Sequence, residues 1–272
     1  MPDKNHSKTT SHLFARLNAE GIRYCHWKSN SHLDAALTGA TDLDLLVDQA
    51  QVAEFRQACA IEGFKLLPTH PSRAYPEADN IFGVDETSGK LLHLDVHYRL
   101  IIGQRHFKEY RPPWAEQVLE RRVLDEEHGI YTTDAESELL LLLVRLALKI
   151  RARDLPRLVR SSGPGGNQRA EFDWLMERTQ AARVTEFGKQ LLSTEALALL
   201  EEAMDGGLGY GPLIRLRRRL RHDLGSWQAG YRVTGAFRRW MREAWWAIGG
   251  LNRRYFHRPI PFSRGGSAGG LV

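Results

Sequence analysis

The sequence predicts an α+β fold: a small mixed β-sheet flanked by helices, followed by an all-helical C-terminal region. Three stretches carry that reading. Residues 22–48, IRYCHWKSNSHLDAALTGATDLDLLVD, read as an apolar strand, a tight polar turn, a short helix and a second strand. Residues 91–98, LLHLDVHY, alternate apolar and polar side chains as a half-buried strand does. Near Thr133 these patterns give way to helical ones, led by a run at 139–143 that is apolar all round. The expected segments are therefore 1–130 for the sheet, 131–250 for helices with an Arg/Trp-rich end, and 251–272 as a linker-like tail.

Residues 11–20 form a short amphipathic helix with Leu13, Phe14 and Leu17 on one side and Gly21 just past its end. The first strand follows at 22–27. After the turn Lys28-Ser29-Asn30, residues 32–37 suit a helical turn or two, and the strand carrying Asp42 and Asp44 runs into Val47. Residues 51–62 read as a helix that turns Val52, Phe55, Cys59 and Ile61 inward, with a further strand at 64–67. Three prolines at 68–80 mark a loop, either solvated or one wall of a site. Residues 81–84 and 91–98 then pair as a hairpin joined by 85–89.

Thr133 to Glu136 spells a capping box, in which the Thr side chain and the Glu three residues on satisfy end N–H groups. It opens a helix over 134–153, which Pro156 bends or ends. The glycine-rich break at 161–167 has no Lys-Ser/Thr after it and so is not a P-loop. Further helices are expected at 170–180, 184–192 and 194–204. Over 234–248, Phe237, Met241, Ala244, Trp245 and Ile248 share a helical stripe opposite Arg238, Arg239 and Arg242. Within the Arg/Trp-rich segment 211–264, such a face suits docking on the body, an anionic membrane surface or nucleic acid.

The content, 42% hydrophobic and 26% charged, is that of an ordinary globular protein. No apolar run approaches the ~20 residues that span a bilayer. The first twelve residues lack the charged-then-apolar layout of a secretory signal, and the expected location is cytoplasmic. Cys25 and Cys59 are expected as buried reduced thiols. The net charge of +5 hides an asymmetry: from 211 onward there are 13 Arg and no Lys against Asp223 and Glu243, a net +11. That leaves −6 for the first 210 residues, so the basicity belongs to the C-terminal quarter.

Residues two apart in a strand share a face, so Asp42 and Asp44 are expected to point together while Leu43 and Leu45 turn into a core. On 91–98, His93, Asp95 and His97 share the face opposite Leu92, Leu94 and Val96. If the two strands are neighbours, three carboxylates converge. Such a cluster repels itself unless a cation offsets it, and a divalent ion takes hard oxygen ligands. The plain alternative is solvated carboxylates on edge strands. His93 and His97 fit structural hydrogen bonds better than a hard ion.

A Ser-bearing turn, an Asp-x-Asp strand and an isolated Asp on a later strand together resemble the nucleotidyltransferase-fold superfamily. The nearer resemblance is to a bacterial branch of nucleotidyltransferase-like proteins, of the type found N-terminal to thymidylate-kinase-like P-loop domains, often in polysaccharide gene clusters. The matching elements here are Lys28-Ser29, Thr41-Asp-Leu-Asp-Leu-Leu-Val47 and Asp95-Val96-His97, within about residues 13–100. The resemblance implies Mg²⁺ or Mn²⁺ on Asp42, Asp44 and Asp95, which are also its catalytic residues. It implies a nucleoside triphosphate contacted by Lys28 and Ser29, and transfer of a nucleoside monophosphate to an acceptor. One departure is Lys28 at a turn position usually held by Gly, which lets backbone approach phosphate; Lys28 would instead bring charge to it. The closing Gly269-Gly270-Leu271-Val272 resembles the lead into a P-loop kinase strand, implying a truncated or split fusion with such a domain or subunit. A catalytically silent module regulating or scaffolding that kinase is the alternative, and a nucleic-acid binder using the C-terminal arginines is a third.

Overall fold

The computed structural model describes residues 7–68, 75, 77–103, 110–151, 154–158 and 163–224. The chain separates into compact units at Met1–Ala229 and Gly230–Val272. The second unit lies outside the described residues, and with it the expected stripe at 234–248 and the tail at 251–272. Part of the loop expected at 68–80 lies outside them as well.

The elements run in the order α1 (Lys8–Ala19), β1 (Tyr24–His26), α2 (Leu33–Leu37), β2 (Leu43–Val47), α3 (Val52–Ile61), β3 (Lys65–Leu67), β4 (Ala78–Val84) and β5 (Leu91–His97). After α4 (Ala115–Glu120) come β6 (Arg122–Asp125) and β7 (Ile130–Thr133). Helices α5 (Ala135–Lys149), α6 (Leu155–Leu158), α7 (Asn167–Met176), α8 (Ala181–Leu191), α9 (Thr194–Asp205) and α10 (Tyr210–Asp223) complete the described part. The fold is α+β. Its seven-stranded mixed sheet has the order β3-β4-β5-β2-β1-β7-β6. Strands β2 and β5 are parallel, as are β1 and β7, and the other neighbours are antiparallel.

Period-two alternation sorts the strand residues between two cores. Leu43, Leu45 and Val47 with Leu92, Leu94 and Val96 pack against Leu13, Phe14 and Leu17 of α1 and Phe55 of α3. Cys25, Trp27 and Leu46 face the other way and join the cluster built on residues 139–144 of α5 and the helices after it. The nearly all-apolar α5 is thus buried on several sides, as its sequence demands. Cys25 and Cys59 are buried free thiols; burial raises both, Cys59 to about 12.

Several expectations shift. The helix at 51–62 is α3, and its inward stripe is Phe55, Ala58 and Cys59; Ile61 is exposed, because six residues on from Phe55 is 240° round the helix. The β6–β7 hairpin lies in a charged, short stretch with no clear alternation. It moves the expected capping box by one residue: Thr133 pairs with Arg122 in the hairpin, and Asp134 is the N-cap, accepting from Ser137 N at 2.8 Å. The helix expected over 134–153 stops at Lys149, where Arg217 of α10 donates to the Ile150 carbonyl at 2.8 Å. Among the described residues no helix is long and apolar enough to cross a membrane.

Candidate functional site

The site is built where β2 and β5 run side by side. Their parallel register sets Asp44 directly opposite Asp95, so the two carboxylates share one face as the alternation requires. The turn after β1 closes over them. Trp27 N–H donates to the Asp44 carbonyl at 3.0 Å, which ties the start of the turn to β2. Lys28 then places its ammonium 2.6 Å from Asp44 Oδ1 and 3.9 Å from Asp95 Oδ2. Ser29 adopts a left-handed φ of 61°, a conformation unusual for a residue with a Cβ. That strain is consistent with a turn whose geometry is set by what it holds.

Asp95 is steadied from the side by His97, whose Nε2 lies 3.3 Å from its Oδ1 and whose ring meets Trp27 edge-on at 5.5 Å. Asp42 sits one step before β2, exposed, with His93 Nδ1 at 2.8 Å. His93 Nε2 in turn lies 3.0 Å from Asn80 Oδ1. The structure thus brings together Lys28, Asp44 and Asp95, with Ser29 beside them, and leaves Asp42 on the same face but in a separate pair with His93.

The helical half contributes residues that sequence reasoning passed over. Glu138 of α5 is buried and accepts from Asn30 N at 2.9 Å and Asn30 Nδ2 at 2.7 Å. Burial raises its carboxyl to about 7 against the lowering effect of the Asn30 bonds, and the negative charge of Glu171 adds to the rise. Because Glu138 fixes the Asn30 amide, the Asn30 oxygen faces His26 Nδ1 at 2.5 Å, so that nitrogen carries the proton. Burial lowers the affinity of His26 for a second proton. Glu171 of α7 accepts from Ser29 Oγ at 3.3 Å and lies 3.9 Å from Arg145 Nη1; the Arg145 guanidinium stands 5.5 Å from the Trp27 ring centre. The turn Trp27–Asn30 is therefore clamped between sheet and helices. One signal was available: Arg145 is a lone charge inside ten otherwise apolar residues, seven on from Glu138 and so on the same helix face.

Asp44 and Asp95 offer the carboxylate oxygens that a hard divalent ion takes. The Lys28 ammonium already lies on them, so an ion and this ammonium compete for the same oxygens. Among the described residues no group of three or more His, Cys, Asp or Glu is arranged to hold a metal ion. A cavity of about 390 Å³ opens elsewhere, between α5, α6, α7 and α10, with Lys149 and Tyr210 on its lining.

Comparisons with known proteins place little beside this chain. No family model and no curated protein matches it. Among solved structures, JHP933 from Helicobacter pylori is similar at 13% identity, with 82% of this chain and 97% of that chain covered and a TM-score of 0.32. So distant a likeness carries neither fold nor function.

Proposed function

We propose that this chain is a nucleotidyltransferase-like protein that binds a nucleoside triphosphate with Mg²⁺ or Mn²⁺ and moves a nucleoside monophosphate to an acceptor. The observation that supports this most is the in-register pair Asp44–Asp95 under the strained Lys28-Ser29 turn. Asp44 and Asp95 would hold the metal, which would supply charge neutralisation for the triphosphate. Asp42 joins that set only when its pair with His93 opens. Lys28, released from Asp44, neutralises a phosphate oxygen, and Ser29 offers its hydroxyl or N–H to another. Asp95, steadied by His97, would either serve as a metal ligand or accept the proton of an acceptor hydroxyl. The chain's own share is positioning and electrostatics.

A second reading, a catalytically silent module that regulates or scaffolds a thymidylate-kinase-like partner, has its own supporting observation. The 2.6 Å Lys28–Asp44 pair satisfies the carboxylate without any ion. One experiment separates the two: thermal unfolding against a panel of nucleoside triphosphates with Mg²⁺ or Mn²⁺, in wild type and Asp44→Asn. A ligand at ~100 times its dissociation constant adds about 2.7 kcal/mol, several degrees in the midpoint. A metal-dependent shift present in wild type and absent in Asp44→Asn supports the nucleotide site. No shift with any nucleotide sinks it and leaves the silent module.

A further inference from the structure

We propose that the helical half carries a second binding site, for a small phosphomonoester bearing hydroxyl groups, in the cavity at the C-terminal end of α5. Its role as the acceptor site rests on the nucleotidyltransferase reading, but its existence does not. At about 390 Å³ the cavity falls near the lower end of ligand pockets, roughly 300–1,000 Å³, which suits one sugar-sized molecule and not a polymer.

The lining has the chemistry of such a ligand. Leu146, Ile150 and Pro164 are buried and give an apolar floor for the C–H face of a polyol. Gln168 and Tyr210 supply an amide and a hydroxyl for its hydroxyl groups. Lys149 and Arg151 are the cations. Arg151 donates through Nε to Asp154 at 2.7 Å, which leaves its two terminal nitrogens as donors and the one lining acid already paired. A lining with two cations and one neutralised carboxylate favours a dianion over a neutral or cationic ligand. The carbonyl end of a helix opposes an anion, and here Arg217 offsets that by donating to the Ile150 carbonyl.

Lys149 also connects the cavity to the carboxylate face. Partial desolvation lowers its ammonium to about 8, and the positive charges of Arg145 and Lys28 push the same way; Glu171 and Asp44 oppose them. Because the side chain as a whole is exposed, solvent moderates the first of these causes. The like charges remain, and an anion at Lys149 relieves them. Lys149 thus feels the charges of Lys28 and Asp44 on the carboxylate face.

The test is calorimetric titration of the full chain, free of nucleotide and metal, with glucose 6-phosphate, glucose and inorganic phosphate. The variants are Lys149→Met, Lys149→Arg, Tyr210→Phe and Asp44→Asn. Saturable glucose 6-phosphate binding is expected, tighter than either glucose or phosphate. It should weaken about ten- to a hundredfold in Lys149→Met, the usual loss for a charge-assisted hydrogen bond. It should weaken a few-fold in Tyr210→Phe and be kept in Lys149→Arg and Asp44→Asn. Retained sugar-phosphate binding in a protein with no nucleotide shift would sink the nucleotide reading and uphold the cavity site. The cavity proposal is overturned if wild type shows no saturable binding at millimolar glucose 6-phosphate, if Lys149→Met binds it unchanged, or if glucose or phosphate alone binds as tightly.

Discussion

Replacing Glu138 by Gln should make this protein more stable above pH 7 and leave it nearly unchanged at pH 5. The carboxyl is buried and raised from its ordinary 4.5 to about 7. A raised acid binds more protons folded than unfolded, so its contribution to stability is full below 4.5, declines as pH rises, and is lost by about 7. The interval is worth about 3 kcal/mol at 1.36 kcal/mol per pH unit. Gln resembles the protonated acid, one acceptor and one donor group, so at pH 5 the two proteins differ little. At pH 8 Gln removes the cost of the buried charge. The weaker bonding of a neutral group to the two Asn30 donors is already contained in that interval, because those bonds favour the charged form and hold the carboxyl below where burial alone would put it. The net expectation is about 3 kcal/mol in favour of Glu138→Gln at pH 8. His26 runs the other way: its lowered affinity keeps stability full above 6.5 and reduces it as pH falls below. Because His26 is present in both proteins, the difference between them isolates Glu138. Urea unfolding followed by tryptophan fluorescence at pH 5, 6, 7 and 8 gives that difference directly. Stability curves that stay parallel across this range would refute the argument.

Two further outcomes follow from the same geometry. Lys28→Met leaves Asp44 and Asp95 opposed without the ammonium, so Mg²⁺ alone should raise the thermal midpoint of this variant by several degrees more than that of wild type; equal shifts would show that Lys28 does not hold the ion's place. Gly83, one residue before the end of β4, lies over the Phe64 ring so closely that a Cβ would meet it at 2.7 Å. Gly83→Ala should therefore cost about 1–3 kcal/mol in urea unfolding, because the buried ring must shift.

What the sequence let one see, and what it hid, divides along physical lines. Strands β2 and β5 announced themselves because Leu43, Leu45, Leu92, Leu94 and Val96 must be buried while their neighbours must not. Alternation fixes the face of each carboxylate but fits a parallel or an antiparallel neighbour equally, so the parallel register that sets Asp44 opposite Asp95 is a tertiary outcome. The same pattern says nothing about where along the strand a helix will cover it. Asp42 and Asp44 are equivalent by alternation, yet only Asp44 lies inside β2 and under the turn. Asp42 is left at the strand's mouth for His93. The β6–β7 hairpin was hidden because Arg122 and Asp125 carry no apolar period, and its pairing with β1 is a tertiary choice.

The helical contribution was hidden for a different reason. Glu138 reads as a helix-start acid and Arg145 as an interruption in an apolar run, and both readings are locally sound. Their meaning depends on a turn more than a hundred residues earlier. Two opposed carboxylates cost free energy unless something positive lies between them, and in this structure the Lys28 ammonium lies against both. Lys28 can do so only if the Trp27–Asn30 turn is pinned, which is the work of Glu138 on Asn30 and of Glu171 on Ser29. The carboxylate pair and the helical clamp are thus parts of one electrostatic arrangement. A ligand that draws Lys28 off Asp44 must work against the clamp. On the proposed reading, a nucleoside triphosphate would offer the ammonium a partner of the same kind as the one it leaves, whereas a bare metal ion would have to displace it with nothing in exchange.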